Sequence, residues 1–459
     1  MKASKTAVFS LGTVFSLSAT VFQQPVAELS HVLGRKPAFL FVLAMFFAGS
    51  VVAAMAKDMI TLLVGRAMQG FACGGSVLAA IILTDLIELK DRATWLAYQN
   101  GIQALGLTWL FWINLPAIVV SAVGLGLLLG FDRPNETYWE SMAKVDWIGM
   151  LIFIPSAVAV LVPFAMAGII FQWASLSAFV PLVLGIFGLT CLGVHQKYIA
   201  KRPMFRARLF TKPVTVYSFI GQAVFGICLN MIFYYLVVYW SGVRGYDEII
   251  TGLCLLPETI TIPLAAVVCG LVMRRTDRIR VAMLVGWPLT TLSIGLLWYM
   301  DAQTPLGVLL LINGLVGLGA GIIVSAMNVT LLASTKKADN GHAIAMGIMF
   351  KSTGMSLGVA IGTAVFTARM DSLLDAGADT ELVAESFMRM LHGVKDDPAV
   401  QEIIVSTLRI LWLICCGLAL VAGVLCVSCR YPGFHDNDEH LPEHTQRLEG
   451  VGPGGKQQQ

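Results

Sequence analysis

The sequence predicts an all-α membrane protein with about 12 or 13 transmembrane helices, and composition and hydropathy both lead to that prediction. Apolar residues make up 57% of the 459 residues and charged residues only 13%, which is about half the charged share of an average soluble domain. The mean hydropathy is +0.77. Apolar runs of about 20 residues, the length that crosses the hydrocarbon core of a bilayer, recur along the whole chain. These observations exclude a soluble globular domain as the main part of the protein.

The individual spans are predicted from long apolar runs that contain at most one charged residue. These runs are 6–26, 37–56, 60–84, 147–171, 174–195, 214–240, 249–272, 281–300, 305–334, 342–367 and 410–428. A further run, 93–131, contains no Asp, Glu, Lys or Arg. We divide it into spans 93–111 and 112–131, because the flanking basic loops require an even number of crossings. Segment 368–409 is predicted to be a loop, and 430–459 a disordered tail.

Basic residues in the short loops predict the orientation of the spans, because loops rich in Lys and Arg stay on the cytoplasmic side. The loop 196–213 carries six bases, and the loop near residue 275 carries four. The turns at 35–36, 90–92 and 336–337 are also basic, whereas the loops near 57, 172, 244 and 301 hold at most one base each. We therefore place the first set in the cytoplasm and the second set outside.

Several functional classes do not fit this composition. The net charge of +3 is too small to indicate a nucleic-acid partner. No group of residues has the spacing of a nucleophile with its base or of a metal-ligand set, so we predict neither an enzyme nor a cofactor or metal site. Most of the nine cysteines lie inside apolar runs, which is typical of small buried side chains and not of a disulfide framework. The bilayer is the partner that the composition itself indicates.

The turn after the first run reads Leu-Ser-His-Val-Leu-Gly-Arg-Lys over residues 29–36. It resembles the cytoplasmic loop motif of the major facilitator superfamily, in which glycine-x-leucine-x-aspartate-x-x-glycine-arginine is followed by a base. The matching residues are Leu29, Gly34, Arg35 and Lys36. Ala27 stands where the motif begins with glycine, and His31 stands where it has an acid. The resemblance implies a gating role for this turn, and His31 predicts a gate that departs from the family pattern.

Arg66 and Gln69 lie in Val-Gly-Arg-Ala-Met-Gln-Gly, which resembles the superfamily's arginine-x-x-glutamine-glycine motif. A lipid-facing guanidinium inside an apolar helix costs roughly 2.5–3.5 kcal/mol. Arg66 is therefore expected to face a cavity or an acid, with extension to the outer interface as the alternative. Asp85 and Arg92 follow at the cytoplasmic end and are similar to the family's acid-to-arginine clasp, although an ordinary solvated helix end gives the same pattern.

Two further segments are similar to the fourteen-span drug:proton antiporters of the superfamily, particularly the fungal toxin and multidrug exporters. Phe-Trp-Ile-Asn-Leu-Pro at 111–116 resembles the start of their sixth span, and Asp-Trp-Ile-Gly at 146–149 the start of their seventh. Aligned in this way, the first apolar run corresponds to the family's second span. The family's first span and the glycine-proline motif of its fifth span then have no counterpart in the chain.

The resemblance implies a major facilitator fold, with two helical halves around a central cavity. We expect an incomplete N-terminal half at 1–131, linking spans and a cytoplasmic loop at 132–213, a C-terminal half at 214–429 and a tail at 430–459. The implied function is export of a small hydrophobic or amphipathic molecule, such as a drug or toxin, by proton antiport across the plasma membrane. A remnant of the family without transport activity and a transporter-like membrane sensor are the alternatives.

A few polar residues interrupt the apolar runs of the C-terminal half. Glu258 follows Pro257, and with Pro263 these prolines are expected to break the helix near the bilayer midplane. Ionisable groups inside a membrane indicate a functional site, so Glu258 is the predicted proton carrier. A structural pair with a neighbouring helix is the alternative. Lys351 is either the partner of Glu258 or a base that extends to the interface, and Asn230 either lines the cavity or joins two helices.

Overall fold

A computed structural model describes residues 5–86, 142–143, 145–166, 175–276, 278–336, 339–373 and 398–429. Within these ranges the chain forms α-helices and short helical turns but no strand. The helices are α1 (Lys5–Leu33), α2 (Arg35–Ala54), α3 (Met59–Gly74), α4 (Ser76–Leu86), α5 (Trp147–Met166), α6 (Leu176–Val194), α7 (Pro213–Val238), α8 (Glu248–Thr276), α9 (Ile279–Leu296), α10 (Leu306–Ser334), α11 (Asn340–Leu373) and α12 (Pro398–Ser428). The predicted spans at 93–131 and the tail after residue 429 lie outside the described residues.

The helices follow the apolar runs of the sequence closely. In the described part of the chain, ten helical segments are long and apolar enough to cross a membrane. The predicted loop at 368–409 is wrong at both ends, because α11 continues to Leu373 and α12 already begins at Pro398. Charged residues ended the predicted spans there, but a helix that leaves the lipid keeps its backbone hydrogen bonds and can continue into water.

The predicted break at Pro257 and Pro263 is also wrong, since α8 is one helix from Glu248 to Thr276. Each proline removes one N–H donor and leaves one carbonyl without its usual partner. A membrane helix tolerates this loss where neighbouring helices and hydroxyl groups compensate. Here α8 packs along α10 and stays one helix, although the carbonyls of residues 253 and 259 lose their usual donors.

The helices form two packed groups. In the N-terminal group, α3 packs on α1 and α2; in the C-terminal group, α7 to α12 surround a core that contains Trp240, Trp287 and Trp412. The two groups meet mainly where α1 packs on α11, and α4 also packs on α11. Helices α5 and α6 pack on each other, and α5 contacts both α1 and α11. The α5–α6 pair therefore lies beside the contact between the groups.

Contacts between loops show which loops lie at the same end of the helices. At one end, which we call the basic end, Arg206 and Arg208 bind Asp339, and Lys212 Nζ donates to Ser334 O at 2.8 Å. At the opposite end, Tyr239 Oη donates to Asp301 O at 2.8 Å. The segments near 206 and 336 therefore share one end, and those near 240 and 301 share the other. This agrees with the alternation that the basic loops predict.

Glycines bring α7 and α11 into backbone contact. A Cβ atom on Gly354 of α11 would lie 2.0 Å from Ala223 O of α7, and one on Gly358 would lie 2.4 Å from Ile227 O. On the facing helix, a Cβ on Gly226 would lie 2.1 Å from Lys351 O. Small residues allow membrane helices to approach this closely, and dispersion contacts between the backbones then hold them together.

Replacing Gly354 with Ala is expected to lower the free energy of unfolding by about 1–3 kcal/mol, because the added methyl group forces α7 and α11 apart. Gly417→Ala is the matched control, since a Cβ there meets nothing within 4 Å, and alanine is the better helix former. The midpoint of heat-induced aggregation in detergent measures both variants. Equal midpoints for the two variants would contradict the close packing of α7 on α11.

Candidate functional site

In the N-terminal group, the predicted site residues Arg66 and Gln69 form one hydrogen-bonded unit. Arg66 Nη1 donates to Gln69 Oε1 at 3.3 Å, and Gln69 Nε2 donates to Ser50 Oγ of α2 at 2.9 Å. Gln69 is buried and Arg66 half-buried. A Cβ on Gly65 would lie 2.7 Å from Ala53 N, so α3 approaches α2 closely beside this unit. The arginine is thereby oriented by a polar group three residues further along its own helix.

Lys351 lies where the two helix groups meet. The next residue, Ser352, accepts a hydrogen bond from Gln23 Nε2 of α1 at 2.8 Å, which joins the groups directly. Lys351 is half-buried and stands about 16 Å along α11 from its first residue, at 1.5 Å per residue. Lys351 therefore lies deep within the predicted span, next to a residue that joins the two groups.

Asn230 has a structural contact on the neighbouring helix. Its Nδ2 donates to Met355 O of α11 at 2.8 Å, and the residue is half-buried. The bond supports the expectation that Asn230 joins two helices, since it adds a side-chain link to the glycine contact between α7 and α11. Of the aromatic residues nearby, Tyr235 and Trp240 are 1% and 0% exposed, so neither anchors the chain at a lipid interface.

The predicted gating turn forms the contact between the helix groups at the basic end. Gly34 has a φ of 96°, which glycine adopts without strain, and this allows α2 to start directly after α1. Arg35 Nη2 lies 2.9 Å from His31 Nδ1. The His31 ring packs on the ring of His342 in α11, with centroids 4.1 Å apart. Lys36 follows in the first turn of α2 and is half-buried.

His31 is uncharged in this arrangement. Burial, followed in order of effect by the neighbouring His342, Arg35 and Arg206, lowers the pKa of His31 to about 2. The contact between α1 and α11 at the basic end is therefore a neutral ring contact surrounded by arginines. An acid at position 31 would instead place a negative charge beside those arginines.

Asp339 is a member of this cluster that the sequence did not reveal. Arg206 Nη1 and Arg208 Nη2 both donate to Asp339 Oδ1, and the aspartate side chain is 4% exposed. The two arginines precede α7 and the aspartate precedes α11, so the ion pairs tie the basic ends of these helices together. More than a hundred residues separate the partners, and no local spacing indicates the pair.

Glu28 is a second residue that was missed. It lies one turn before His31, past the apolar run that ends at residue 26, and it is 6% exposed. Its Oε2 accepts no hydrogen bond from the described residues. Burial raises the pKa of Glu28 to about 7; Arg206 opposes this shift and Asp146 adds to it. Residues three apart on a helix share a face. The spacing of Glu28 from His31 could therefore have indicated that both face the same contact.

Glu258 lies apart from the other candidates, inside the C-terminal group. The residue is 0% exposed, and neither carboxyl oxygen accepts a hydrogen bond from the described part of the chain. It faces α10, where a Cβ on Gly317 would lie 3.0 Å from Glu258 Cα. Of the two roles considered for Lys351, a pair with Glu258 is not formed among the described residues, because α11 packs mainly on α7 and α1 whereas α8 packs mainly on α10.

The structure thus brings some predicted site residues together and separates others. Arg66 and Gln69 form one unit, and His31, Gly34 and Arg35 form another. Arg92 lies outside the described residues, and although Asp85 is part of α4, its side chain also lies outside them. The predicted acid-to-arginine clasp stays a prediction.

Residues 1–363 match the family model described as Major Facilitator Superfamily. The chain belongs to the major facilitator superfamily. It is accordingly a multi-pass membrane transporter that moves a small-molecule substrate, and not an enzyme, as the sequence predicts. The predicted all-α major facilitator fold is confirmed as well, by the family match and by a solved structure of the same fold.

Curated relatives agree with this membership. The chain is 30% identical to "MFS transporter L2" of Phoma sp. over 457 residues, which cover 94% of this chain and 76% of the relative. It is 27% identical to "MFS efflux transporter aclA" of Aspergillus oryzae, with 90% and 80% covered. The crystal structure of the human organic anion transporter MFSD10 superimposes with a TM-score of 0.57 at 14% identity, covering 93% of this chain and 86% of that one. The similarity to fungal members of the superfamily is thereby confirmed.

Asp339→Asn is expected to destabilise the protein by about 2 kcal/mol, because it leaves two arginines at the basic end without their buried carboxylate. Asp301→Asn is the matched control: its pair with Arg409 spans 3.6 Å and the aspartate side chain is 58% exposed, so under about 1 kcal/mol is expected. Thermal unfolding in detergent compares the two. A larger loss for Asp301→Asn would show that the Asp339 cluster does not close the basic end.

Glu28→Gln tests the buried carboxyl at the basic end. The pKa of Glu28 is raised from 4.5 to about 7, so its contribution to stability is fully present below pH 4.5 and is lost as the pH rises through about 7. The wild type should therefore lose stability relative to Glu28→Gln over this pH range. Thermal unfolding at a series of pH values measures the difference, and a constant difference would show that Glu28 does not titrate there.

Proposed function

We propose that this transporter exports a small hydrophobic or amphipathic molecule across the plasma membrane and is driven by protons that move in the opposite direction. The direction is supported by the similarity to aclA, whose name describes an efflux transporter. The proton coupling is supported by Glu258. Drugs and fungal toxins are the proposed substrate class.

The buried, unpaired carboxyl group of Glu258 carries this proposal. An ionised carboxylate without a partner inside a protein costs several kcal/mol, and more where lipid surrounds the helices. The described residues supply neither a salt bridge nor a hydrogen bond to its two oxygens. Glu258 is therefore held in its protonated form in this conformation. A conformation that opens the contact between α8 and α10 to water would release the proton, and this coupling is what a proton-driven transporter requires.

The substrate is proposed to bind between the helix groups, beside Arg66 and Lys351. Both residues place a cation in an otherwise apolar region, and both are half-buried. Lys351 lies on α11, which packs on α1 and α7. A site of this kind binds molecules that are largely apolar with one or two polar groups. Gln69 and Asn230 are proposed to support the pathway by orienting Arg66 and by holding α7 on α11.

The residues of the basic end are proposed to form the cytoplasmic gate. The contacts that would close this gate are the packing of His31 on His342 and the ion pairs of Asp339, which connect the adjacent loops. Transport by alternating access requires these contacts to break when the cavity opens to the cytoplasm. Gly34, Arg35 and Lys36 would then move together as the turn that joins α1 to α2, with Asp85 and Arg92 as further gate residues.

Glu258→Gln should abolish transport driven by a proton gradient while leaving the protein folded, because glutamine has a similar shape but cannot carry the proton. The measurement is uptake of the amphipathic anionic dye 8-anilinonaphthalene-1-sulfonate into proteoliposomes with an acidic lumen, corrected for protein-free vesicles. Glu402→Gln is the matched control, since Glu402 is exposed on α12.

Two results would contradict the proposal. Gradient-driven dye uptake by the Glu258→Gln variant at the wild-type rate would remove Glu258 as the proton carrier. A wild-type protein that binds the dye but shows no flux under any gradient would favour the sensor or the remnant of the family.

A further inference from the structure

A second buried polar side chain, Asn313, contacts α8 one turn before Glu258 in the contact between α8 and α10. Asn313 of α10 is 0% exposed, and its Nδ2 donates to Cys254 O of α8 at 3.3 Å. Its Oδ1 accepts no hydrogen bond from the described residues, which is also true of both carboxyl oxygens of Glu258. Three buried oxygens on facing helices thus lack a donor, although leaving a buried acceptor unpaired is costly.

The register of the two helices brings Asn313 to the Glu258 side chain. The contacting pairs in successive turns are Cys254 with Asn313, Glu258 with Gly317, and Ile262 with Gly321. The helices therefore run parallel in one register. Side chains on a helix lean toward its N-terminus, so the Glu258 carboxyl leans from the level of Gly317 toward the level of Asn313. Glycine at 317 lets α8 approach this closely, since a Cβ there would meet Thr261 Oγ1 and the backbone of Glu258.

The carbonyl group of Cys254 also limits the distance between Asn313 and Glu258. In an α-helix the N–H of residue 258 points at the carbonyl of residue 254, and Cys254 O is the same atom that accepts from Asn313 Nδ2. The Asn313 amide therefore lies against the turn of α8 that carries Glu258. With Nδ2 committed to the carbonyl, Oδ1 is the atom that remains for the carboxyl group.

We propose that Asn313 is the positioning residue for the proton on Glu258, an inference that rests on the proposed role of Glu258 as proton carrier. In the protonated state the carboxyl O–H donates to Asn313 Oδ1 while Nδ2 donates to Cys254 O. After the proton leaves, the carboxylate and Oδ1 are both acceptors and repel each other. The amide must then turn to donate Nδ2 to the carboxylate, which breaks its bond to Cys254 O. Proton binding to Glu258 thus determines whether Asn313 Nδ2 is hydrogen-bonded to Cys254 O and links α10 to α8.

Few other titratable groups surround this pair. Helix α10 carries no charged or titratable side chain. Besides α10, the elements packed on α8 are α7, the turn Tyr239–Val243 and α9. Their titratable side chains are Tyr217, Cys228, Tyr234, Tyr235, Tyr239 and, at the basic end of α9, Arg280. Arg244 acts electrostatically on Cys254 but binds Ala302 O. Asn313 is thus the polar group that the packing places at the level of the carboxyl.

A pH titration of the infrared band of protonated carboxyl groups tests this role without a substrate. The full chain is reconstituted in lipid, and loss of the band in Glu258→Gln assigns it. Asn313→Leu should lower the titration midpoint by about one pH unit, a tenfold loss of proton affinity, because the protonated carboxyl loses its acceptor. Asn313→Asp should raise the midpoint, because a second carboxylate disfavours ionisation. The double variant with Glu258→Gln identifies the band of the new aspartate.

Ser325→Ala is the matched control, since Ser325 is another buried residue of α10 whose side-chain oxygen has no described partner; its midpoint should equal that of the wild type. Unchanged midpoints in both Asn313 variants, with the Glu258 band present, would overturn the role of Asn313 and leave the proposed function standing. A band that persists in Glu258→Gln would instead overturn the proton-carrier role itself. If Asn313→Leu does not fold, the opposite shift expected for Asn313→Asp still decides the question.

Discussion

The absence of water in the hydrocarbon core is the constraint on which this structure depends, because every polar group there must find its partner within the protein. Hydroxyl side chains meet it locally: those of Thr20, Ser50, Ser156 and Thr330 donate to carbonyls one turn earlier on their own helices. Amide side chains meet it across helices, as Gln23 does on Ser352. A carboxyl group with neither kind of partner is conspicuous against this background, and a bound proton is the way it remains neutral.

The same constraint explains how the helices pack. Apolar side chains gain little free energy by moving from lipid into a helix contact. Close backbone approach and interhelical hydrogen bonds therefore hold the groups together. Two parallel pairs result, α7 with α11 and α8 with α10, each with glycines at the contact. In both pairs one asparagine side chain bonds a backbone carbonyl of the facing helix, Asn230 in the first and Asn313 in the second. These two asparagines therefore stand where the helix backbones approach each other closely.

Local patterns of the sequence predicted the features that depend on residues close together in the chain. The spans follow from hydropathy, and the unit of Arg66 with Gln69 follows from their spacing on one helix. The partners that depend on the register between distant helices, such as Asp339 with Arg206, left no local signal. The predicted break at Pro257 failed for a related reason, since α8 packs along α10 and stays one helix despite the missing donors. Glu258 was recognisable as an isolated charge, but its neighbour Asn313 became visible only with the contact between α8 and α10.

The position of α5 limits access from the membrane to the contact between the two helix groups. Because α5 contacts both α1 and α11, it covers one side of the contact between the two helix groups. Leu17 of α1, Phe153 of α5 and Met349 of α11 fill the junction. On this side, the described residues therefore leave an apolar molecule in the surrounding leaflet no open path between the two groups.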